Sequence, residues 1–347
     1  MVIFSKRNVS GVSPLDGVEA LFADLDGVVY AGPGAIPFAV DSLNAVAADM
    51  PVGYITNNAS RTDESVAAHL RGLGLACTAS DIVTSPQAAM GILREVAPAG
   101  STILVVGGEG LVSEVTKAGF VVTDSAHDNP AAVIQGFSPD IGWTHLAEAS
   151  FALNARSAAH PDGIPWIATN MDWTIPVERG TAPGNGTLVS AVHLAAGRMP
   201  VVAGKPETAI FDEARKRFDV TRALYVGDRL DTDILGANRA QMRSALVLTG
   251  IDGPKQVLAA PEGQRPEFIL GDLRELLLPY PETVVSKKGA VTVGTATVSL
   301  AANDVDIIVE EAGDGLDLLR ATCQLIWRSG RAIYGFTVPE QAYAAIR

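Results

Sequence analysis

Two aspartates that follow a short apolar run are the residues of this sequence best suited to chemistry. Asp24 and Asp26 come directly after the apolar residues 20–23, and Gly27 follows them. In an extended strand the two carboxylates would point the same way, but the glycine permits a sharp turn beside them. One carboxylate could then attack or hold a metal while the other passes a proton. A calcium loop could begin in the same way, although residues 28–30 add no further acids.

Three more apolar runs end in polar residues further along the chain. The polar residues that follow these runs are Thr56, Asn57, Asn58, Lys205, Asp228 and Asp233. In an open parallel sheet, ligands bind beyond the carboxyl ends of the strands, so these groups are expected to meet at one site. Structural alternatives exist for each: Thr56 could cap the next helix, Lys205 could be solvated, and the acids could favour a helix start.

These four segments resemble the motifs of the haloacid dehalogenase superfamily of phosphohydrolases. Asp-Leu-Asp-Gly-Val-Val-Tyr is similar to the first motif, and Thr56 and Lys205 are similar to the second and third. Gly-Asp-Arg-Leu-Asp-Thr-Asp is similar to the fourth. The fuller strings resemble subclass IIA, whose members carry a large C2-type cap and include NagD-like, 4-nitrophenyl phosphate and phosphoglycolate phosphatases. Actinobacterial glycerol-3-phosphate phosphatases of this kind also carry a C-terminal extension.

The resemblance implies an α/β fold with a Rossmann-like parallel-sheet core. The core is expected in two pieces, residues 1–85 and 184–278, because residues 86–183 have an α/β rhythm of their own that predicts an inserted cap domain. After a linker at residues 279–289, residues 285–347 are expected to form a small α+β module that resembles a fragment of an acetyltransferase fold. Within it we predict a strand over 290–300, a helix over 315–329 and a strand over 332–336.

The resemblance also implies a two-step hydrolysis of phosphate monoesters. Asp24 would attack phosphorus to form an aspartyl-phosphate, and Asp26 would protonate the leaving alkoxide and then activate water. Thr56 and Lys205 would complete the catalytic set. The implied phosphate-binding residues are Gly27, Thr56, Asn57, Asn58 and Lys205.

A divalent cation is part of the implied chemistry. The implied Mg²⁺ ligands are Asp24, the backbone carbonyl of Asp26, Asp228 and, through water, Asp233. The ionised nucleophile meets a phosphate dianion, and two like charges at 4 Å repel by about 4 kcal/mol at an effective dielectric of 20. Mg²⁺ fits because it prefers carboxylate, phosphate and water oxygens.

The implied cap carries a loop that would face the substrate. Its candidate specificity residues are Asn170, Asp172 and Ile175, before the turn at residues 183–186. An apolar Ile175 favours a small aliphatic phosphate, but it could equally be a packed hydrophobic residue. Residues 105–110 of the cap, Val-Val-Gly-Gly-Glu-Gly, follow a predicted strand and could also be a dinucleotide loop, although the full glycine spacing is missing.

Composition restricts the partners. The formal net charge is −13 and no run of Lys or Arg is longer than the three residues 215–217, which argues against nucleic acid. No stretch reaches the roughly 18–20 apolar residues of a membrane span, and the first 17 residues lack the apolar core of a signal peptide. Two distant cysteines, Cys77 and Cys323, suit free thiols in a reducing cytoplasm. The resemblance adds a homodimer, since caps of this subgroup often mediate one.

The sequence therefore predicts a cytoplasmic, Mg²⁺-dependent phosphatase for small phosphate monoesters, with glycerol 3-phosphate favoured. Phosphoglycolate or a nucleoside monophosphate is the alternative substrate. The same core could serve a phosphotransferase or mutase, in which a hydroxyl replaces water. A different class of function, a ligand-sensing or assembly protein with a regulated phosphatase core, depends on the C-terminal module.

Overall fold

The computed structural model describes residues 12–156, 158, 160–177 and 179–344, so the ends of the predicted core (1–11) and module (345–347) lie outside it. Its strands are β1 (Ala20–Ala23), β2 (Tyr30–Ala31), β3 (Gly34–Ala35), β4 (Val52–Thr56), β5 (Ile82–Thr84), β6 (Thr102–Val106), β7 (Val121–Thr123), β8 (Ala132–Gln135), β9 (Trp166–Ala168), β10 (Thr174–Val177), β11 (Gly180–Pro183), β12 (Val201–Val202), β13 (Ala223–Gly227), β14 (Arg243–Val247), β15 (Phe268–Leu270), β16 (Thr283–Val285), β17 (Val291–Val293), β18 (Ala296–Leu300) and β19 (Ile307–Glu311). Its α-helices are α1 (Ala39–Ala47), α2 (Asp63–Gly72), α3 (Ser85–Val96), α4 (Glu109–Lys117), α5 (Trp143–Asn154), α6 (Asn185–Ala196), α7 (Ala209–Phe218), α8 (Leu235–Arg239), α9 (Pro254–Leu258) and α10 (Gly315–Arg328).

Short buried strands and capped helices follow directly from local sequence. Every residue of β1 and β13 is buried, as expected for parallel strands covered on both faces. Helix α2 begins after Thr62, whose side chain accepts a hydrogen bond from the Ser65 N–H. Helix α3 begins with a capping box between Thr84 and Gln87. These strand-to-helix steps place the polar residues of the motifs at strand ends.

The described chain divides into two compact units. The first comprises the residues up to Pro51 and those from Arg222 onward. Its parallel strands lie in the order β15-β14-β13-β1. Its last part is an antiparallel sheet, β16-β17-β18-β19, with α10 against β17 and β18. Buried residues of this sheet and helix belong to the same apolar cluster as Leu246, Val257 and Ile269.

The second unit spans Val52–Thr221. It contains the parallel pair β4-β5 and a parallel sheet in the order β12-β9-β8-β6-β7. Helices α5 and α6 pack together, and an apolar cluster joins them to β6, β8 and β9. Strands β10 and β11 form a separate antiparallel pair. The expected α/β class with a parallel-sheet core and further sheets is confirmed.

Several local expectations for the C-terminal residues are wrong. The alternating residues 290–300 are two strands, β17 and β18, because the chain turns at Gly294, which has φ +55°. The expected strand at 332–336 is a 3₁₀ turn, Ile333–Gly335. The expected linker contains β16, which pairs with β17. The predicted domain boundaries stay a prediction beside the two units. Among the described residues, none of the helices combines the length and apolar character needed to cross a bilayer.

Candidate active site

Three carboxylates of the first unit come together at the ends of neighbouring strands. Asp24 follows β1 and Asp228 follows β13, and Asp233 lies in the turn just beyond. One oxygen from each of the three carboxylates lies within 4.8 Å of the others. Asp228 is 2% exposed and Asp233 is fully buried. Buried carboxylates at this spacing need a cation or protons, and their all-oxygen donor set suits a hard divalent ion.

The loop after β14 holds Asp228 in place. The N–H of Ile251 donates to Asp228 Oδ2 at 2.7 Å, and Thr249 Oγ1 donates to the carbonyl of Gly27 at 2.7 Å. A Cβ atom at Gly27 would lie 2.2 Å from Asp228 Oδ2, and one at Gly250 would lie 2.0 Å from it. Gly27, at φ +79°, therefore supplies a backbone conformation and a close approach that other residues could not. Its predicted phosphate contact stays a prediction.

Asp233 is held by two donors. The hydroxyl of Tyr225 donates to Asp233 Oδ1 at 2.9 Å, and the N–H of Arg229 donates to Oδ2 at 3.1 Å. Burial, and then the charges of Asp233 and Asp24, raise the pKa of Tyr225 well above its usual value. The raised pKa favours the protonated phenol, which is the form that donates to Asp233.

Asp26 lies apart from the buried carboxylates. It is exposed, and the hydroxyl of Tyr30 donates to its Oδ2 at 3.3 Å. Asp24 and Asp26 thus have different surroundings, one in the carboxylate cluster and one beside a phenol. This difference suits the two predicted roles, nucleophile and proton carrier.

The second unit contains the other predicted residues. Thr56 ends β4 and is 4% exposed, and its Oγ1 accepts a hydrogen bond from the N–H of Asn58 at 3.1 Å. The helix that follows is capped by Thr62, so the suggestion that Thr56 caps it is wrong. Lys205 is 4% exposed, so the suggestion that it is solvated is wrong as well. Asn57 binds the backbone of Lys205 through its side chain.

The predicted specificity residues of the cap lie in the same unit. Asn170 Nδ2 donates to the carbonyl of Asn57 at 2.7 Å, and Asp172 Oδ1 accepts from Asn57 Nδ2 at 3.1 Å. Ile175 lies further along, half-buried in β10 opposite Ala182 of β11. The structure thus brings Asn170 and Asp172 to Asn57 and Lys205, while Ile175 belongs to the strand pair.

Another segment of the chain, residues 59–61, packs against the glycine-rich residues 107–110. A Cβ atom at Gly110 would lie 2.5 Å from the carbonyl oxygen of Arg61 and 2.9 Å from that of Ala59. The hydroxyl of Ser60 donates to the carbonyl of Phe137 at 2.9 Å. Segment 59–61 therefore packs directly against the glycines at the start of α4, and this packing is against the dinucleotide interpretation.

Comparisons with known proteins agree with the strand-end motifs. The family profile "haloacid dehalogenase-like hydrolase" matches residues 21–121, and a second, "HAD-hydrolase-like", matches residues 202–276. The D-glycerol 3-phosphate phosphatase of Mycobacterium tuberculosis is 41% identical over 317 residues, covering 90% of this chain and 87% of its own. The chain belongs to the haloacid dehalogenase-like hydrolases.

A staphylococcal relative and a solved structure extend the comparison. The acid sugar phosphatase of Staphylococcus saprophyticus is 31% identical and covers 75% of this chain with 96% of its own length. A crystal structure of a glycerol phosphate phosphatase from M. tuberculosis in complex with magnesium has a TM-score of 0.80 at 38% identity. It covers 92% of this chain and 93% of its own. The haloacid dehalogenase-like fold with a cap is therefore confirmed.

Some residues around the site were not predicted from sequence. Tyr225 and the loop residues Thr249, Gly250 and Ile251 all contact the carboxylates or Gly27. The loop could have been found, because it follows the apolar run 244–248 in the same way that the recognised motifs follow theirs. Nothing in the sequence marks Tyr225, which lies within an apolar strand.

Proposed function

We propose that this protein is a Mg²⁺-dependent phosphatase that hydrolyses small phosphate monoesters, with glycerol 3-phosphate preferred. The cluster of Asp24, Asp228 and Asp233 carries the proposal. Carboxylate charges that lie within 4.8 Å of one another repel by about 3–4 kcal/mol per pair at an effective dielectric of 20, and this repulsion favours a bound cation. The activity of the M. tuberculosis relative supports glycerol 3-phosphate as the substrate.

In this proposal two carboxyl groups carry out both steps. A carboxylate oxygen of Asp24 attacks phosphorus, the bond from phosphorus to the glycerol oxygen breaks, and the carboxyl proton of Asp26 passes to that oxygen. Asp26, now ionised, takes a proton from the water that attacks phosphorus, and the bond from phosphorus to the Asp24 oxygen breaks. Phosphate leaves, and both carboxyls regain their first states.

The remaining residues would hold charge in place. Asp24, Asp228 and the backbone carbonyl of Asp26 would hold Mg²⁺, with Asp233 acting through water, and the bound ion would offset the negative charge of the phosphoryl group. Lys205 would supply a fixed positive charge, and Thr56 and Asn58 would donate to phosphoryl oxygens. Buried, preorganised donors of this kind stabilise charge that develops in the transition state. The burial of Thr56 and Lys205 supports these roles.

The cap would choose the leaving group. Asn170, Asp172 and Ile175 are the proposed specificity residues, and the apolar side chain of Ile175 suits an aliphatic alcohol better than a charged one. Phosphoglycolate and nucleoside monophosphates are the competing substrates. A preference of ten-fold corresponds to about 1.4 kcal/mol in transition-state binding.

Phosphate release from a panel of monoesters tests the proposal. The panel contains glycerol 3-phosphate, phosphoglycolate, a nucleoside monophosphate and 4-nitrophenyl phosphate, each with Mg²⁺ and with EDTA. We expect release to require Mg²⁺, to favour glycerol 3-phosphate, and to fall by more than about 10³-fold in Asp24→Asn, because the nucleophile is lost. Asp231→Asn is the matched control, since exposed Asp231 pairs with Arg229.

Two results would contradict the mechanism. Release that persists in Asp24→Asn would exclude Asp24 as the nucleophile. Transfer of the phosphoryl group to an added alcohol in preference to water would favour the phosphotransferase alternative.

We further propose a homodimer in a reducing, cytoplasmic setting. Large apolar side chains on the helices α5 and α6 support self-association, because Trp143 is 80% exposed and Leu194 is 83% exposed. Cys77 and Cys323 are buried free thiols, which suits a reducing compartment. We expect light scattering to give a dimer mass, and Leu194→Lys to give a monomer if α6 is at the interface.

A further inference from the structure

The side chain of Asn57 forms hydrogen bonds with both the N–H and the carbonyl of Lys205, an arrangement called here the Asn57 clamp. Asn57 Oδ1 accepts a hydrogen bond from the Lys205 N–H at 2.8 Å, and Asn57 Nδ2 donates to the Lys205 carbonyl at 3.1 Å. Both bonds are buried. Two bonds from one planar amide to the N–H and the carbonyl of one residue restrain both its position and its rotation.

The same amide joins Lys205 to the substrate loop of the cap. Asn57 Nδ2 also donates to Asp172 Oδ1 at 3.1 Å, and the N–H of Asp172 donates to Asn170 Oδ1 at 3.1 Å. Asn170 Nδ2 returns to the carbonyl of Asn57 at 2.7 Å, which closes a ring. Ser85 Oγ donates to the same carbonyl at 2.8 Å. The backbone of Asn57 is thus anchored while its side chain holds Lys205.

The space for this arrangement depends on Gly204. A Cβ atom there would lie 2.6 Å from Asn57 Oδ1 and 2.5 Å from the carbonyl oxygen of Thr169. Any larger residue before Lys205 would push the amide away from the Lys205 N–H. The glycine and the asparagine therefore form one feature, although they are far apart in sequence.

We propose that Asn57 is a positioning residue that acts through Lys205, and that its side chain does not bind the phosphoryl group directly. Both Nδ2 hydrogens have acceptors, Lys205 O and Asp172 Oδ1, and Oδ1 has a donor. The side chain is therefore committed to the protein, and any phosphate contact of Asn57 is left to its backbone. This inference rests on the proposed function, in which Lys205 binds the phosphoryl group.

A double-mutant cycle tests the proposal. In the full-length protein with Mg²⁺, kcat/KM for glycerol 3-phosphate and the affinity for inorganic phosphate are measured for wild type, Asn57→Ala, Lys205→Ala and the double variant. We expect Asn57→Ala to lower kcat/KM on the order of 10²-fold, as a catalytic group displaced by about 1 Å does. In the Lys205→Ala background the same change is expected to have less than a two-fold effect, because residues that act through one another are not additive.

Two further variants keep the test independent of folding. Asn57→Asp has the same shape but places a carboxylate oxygen against the Lys205 carbonyl and Asp172, and we expect a loss similar to that in Asn57→Ala. Asn154→Ala is the matched control, since exposed Asn154 lies on the surface of the same unit and its side chain donates to the carbonyl of Ala195. We expect it to keep wild-type kcat/KM. All assays are run below the onset of thermal unfolding of each variant.

Distinct results would overturn the inference or the proposed function. Losses that multiply in the double variant would show that Asn57 acts on the substrate independently of Lys205. Wild-type kcat/KM in folded Asn57→Ala would show that the amide has only a structural role. A wild-type protein that releases no phosphate from any monoester would overturn the proposed function and, with it, the need for the clamp.

Discussion

At the scale of single residues, the carboxylate cluster depends on glycines as much as on acids. Gly27 and Gly250 approach the carboxylate of Asp228 so closely that neither can carry a Cβ atom without displacing it. The Ile251 N–H then fixes Asp228 Oδ2. These contacts restrain the Asp228 carboxylate, one oxygen of which belongs to the carboxylate cluster.

Gly27→Ala is expected to disrupt the site. The new Cβ atom would lie 2.2 Å from Asp228 Oδ2, so that carboxylate must move. We expect most phosphatase activity to be lost and the Mg²⁺ concentration for half-maximal activity to rise. Gly32→Ala is the matched control, because Gly32 also has a positive φ, +59°, but a Cβ atom there would meet nothing within 4 Å. Both variants carry about 1–2 kcal/mol of backbone strain, so equal losses of activity would contradict the explanation.

Tyr225→Phe removes one of the donors to Asp233 without changing the shape of the core. A buried hydrogen bond to a charged group contributes about 1.5–3 kcal/mol, and we expect a loss of this size in the free energy of unfolding by urea. Loss of a residue that supports a metal ligand lowers metal affinity by roughly 10–100-fold, so a higher Mg²⁺ requirement should accompany it. Tyr334→Phe, at a side chain that is 96% exposed, is the control.

At the scale of elements, a buried arginine joins helix α10 to the parallel strands of the first unit. Arg320 of α10 donates through Nε to the carbonyl of Ile269 in β15 at 2.9 Å, and it pairs with Glu275 and Asp317. Its side chain is only 7% exposed. Burial raises the pKa of Glu275, and Arg320 opposes that rise. The helix and the strand therefore share one buried charge network.

Arg320→Met is expected to lower the free energy of unfolding by about 3–5 kcal/mol, because Glu275 is left without its buried partner. The pKa of Glu275 should then rise further. A carboxyl with a higher pKa in the folded state destabilises the protein when ionised, and this cost disappears as the pH falls through that pKa. Urea unfolding should therefore show the largest difference in free energy of unfolding between wild type and Arg320→Met near neutral pH, and a smaller difference in acid.

An exposed ion pair provides the control for the arginine. Arg222 pairs with Glu19 in the same unit, but its side chain is 67% exposed. We expect Arg222→Met to change the free energy of unfolding by less than about 1 kcal/mol, with little dependence on pH. A similar loss in the two variants would mean that burial of Arg320 is not what makes its pairing important.

The sequence predicts strand ends better than it predicts turns and long-range pairs. An apolar run such as Val52–Ile55 followed by Thr56 reads clearly, because both faces of the strand are buried. The hairpin at Gly294 could not be predicted, because apolar and polar residues alternate in the same way on both sides of the glycine. The clamp of Asn57 on Lys205 links positions 148 residues apart, and the pattern around either residue contains no sign of it.

At the scale of the whole molecule, the C-terminal module is part of the first unit's core. Leu319 of α10 and Val298 of β18 are fully buried in one cluster with Leu246 and Ile269 of the parallel strands. The staphylococcal relative matches 75% of this chain with 96% of its own length, so about a quarter of this chain has no counterpart in that relative. A detachable sensing module would not be expected to share its core in this way.

Leu319→Ala tests whether the C-terminal module and the parallel strands of the first unit unfold together. Removing a fully buried leucine costs about 2–5 kcal/mol. If the two share one core, hydrogen exchange should speed up in β13 and β14 as well as in α10. Faster exchange confined to residues after Pro281, with unchanged phosphatase activity on deleting them, would instead support an independent module and revive the ligand-sensing alternative.

The strand pair β10-β11 is closed at its base by backbone contacts. The N–H of Gly184 donates to the carbonyl of Trp173 at 2.9 Å, and the N–H of Gly186 donates to that of Asp172 at 2.9 Å. Residues 174–183 therefore leave and re-enter the fold at nearly the same point. We expect that these positions can be exchanged or randomised in a library without displacing Asn170 or Asp172, because the side chains of those two residues bond to Asn57, outside the segment. Directed evolution of substrate preference in this enzyme can begin with those ten positions while the rest of the chain stays constant.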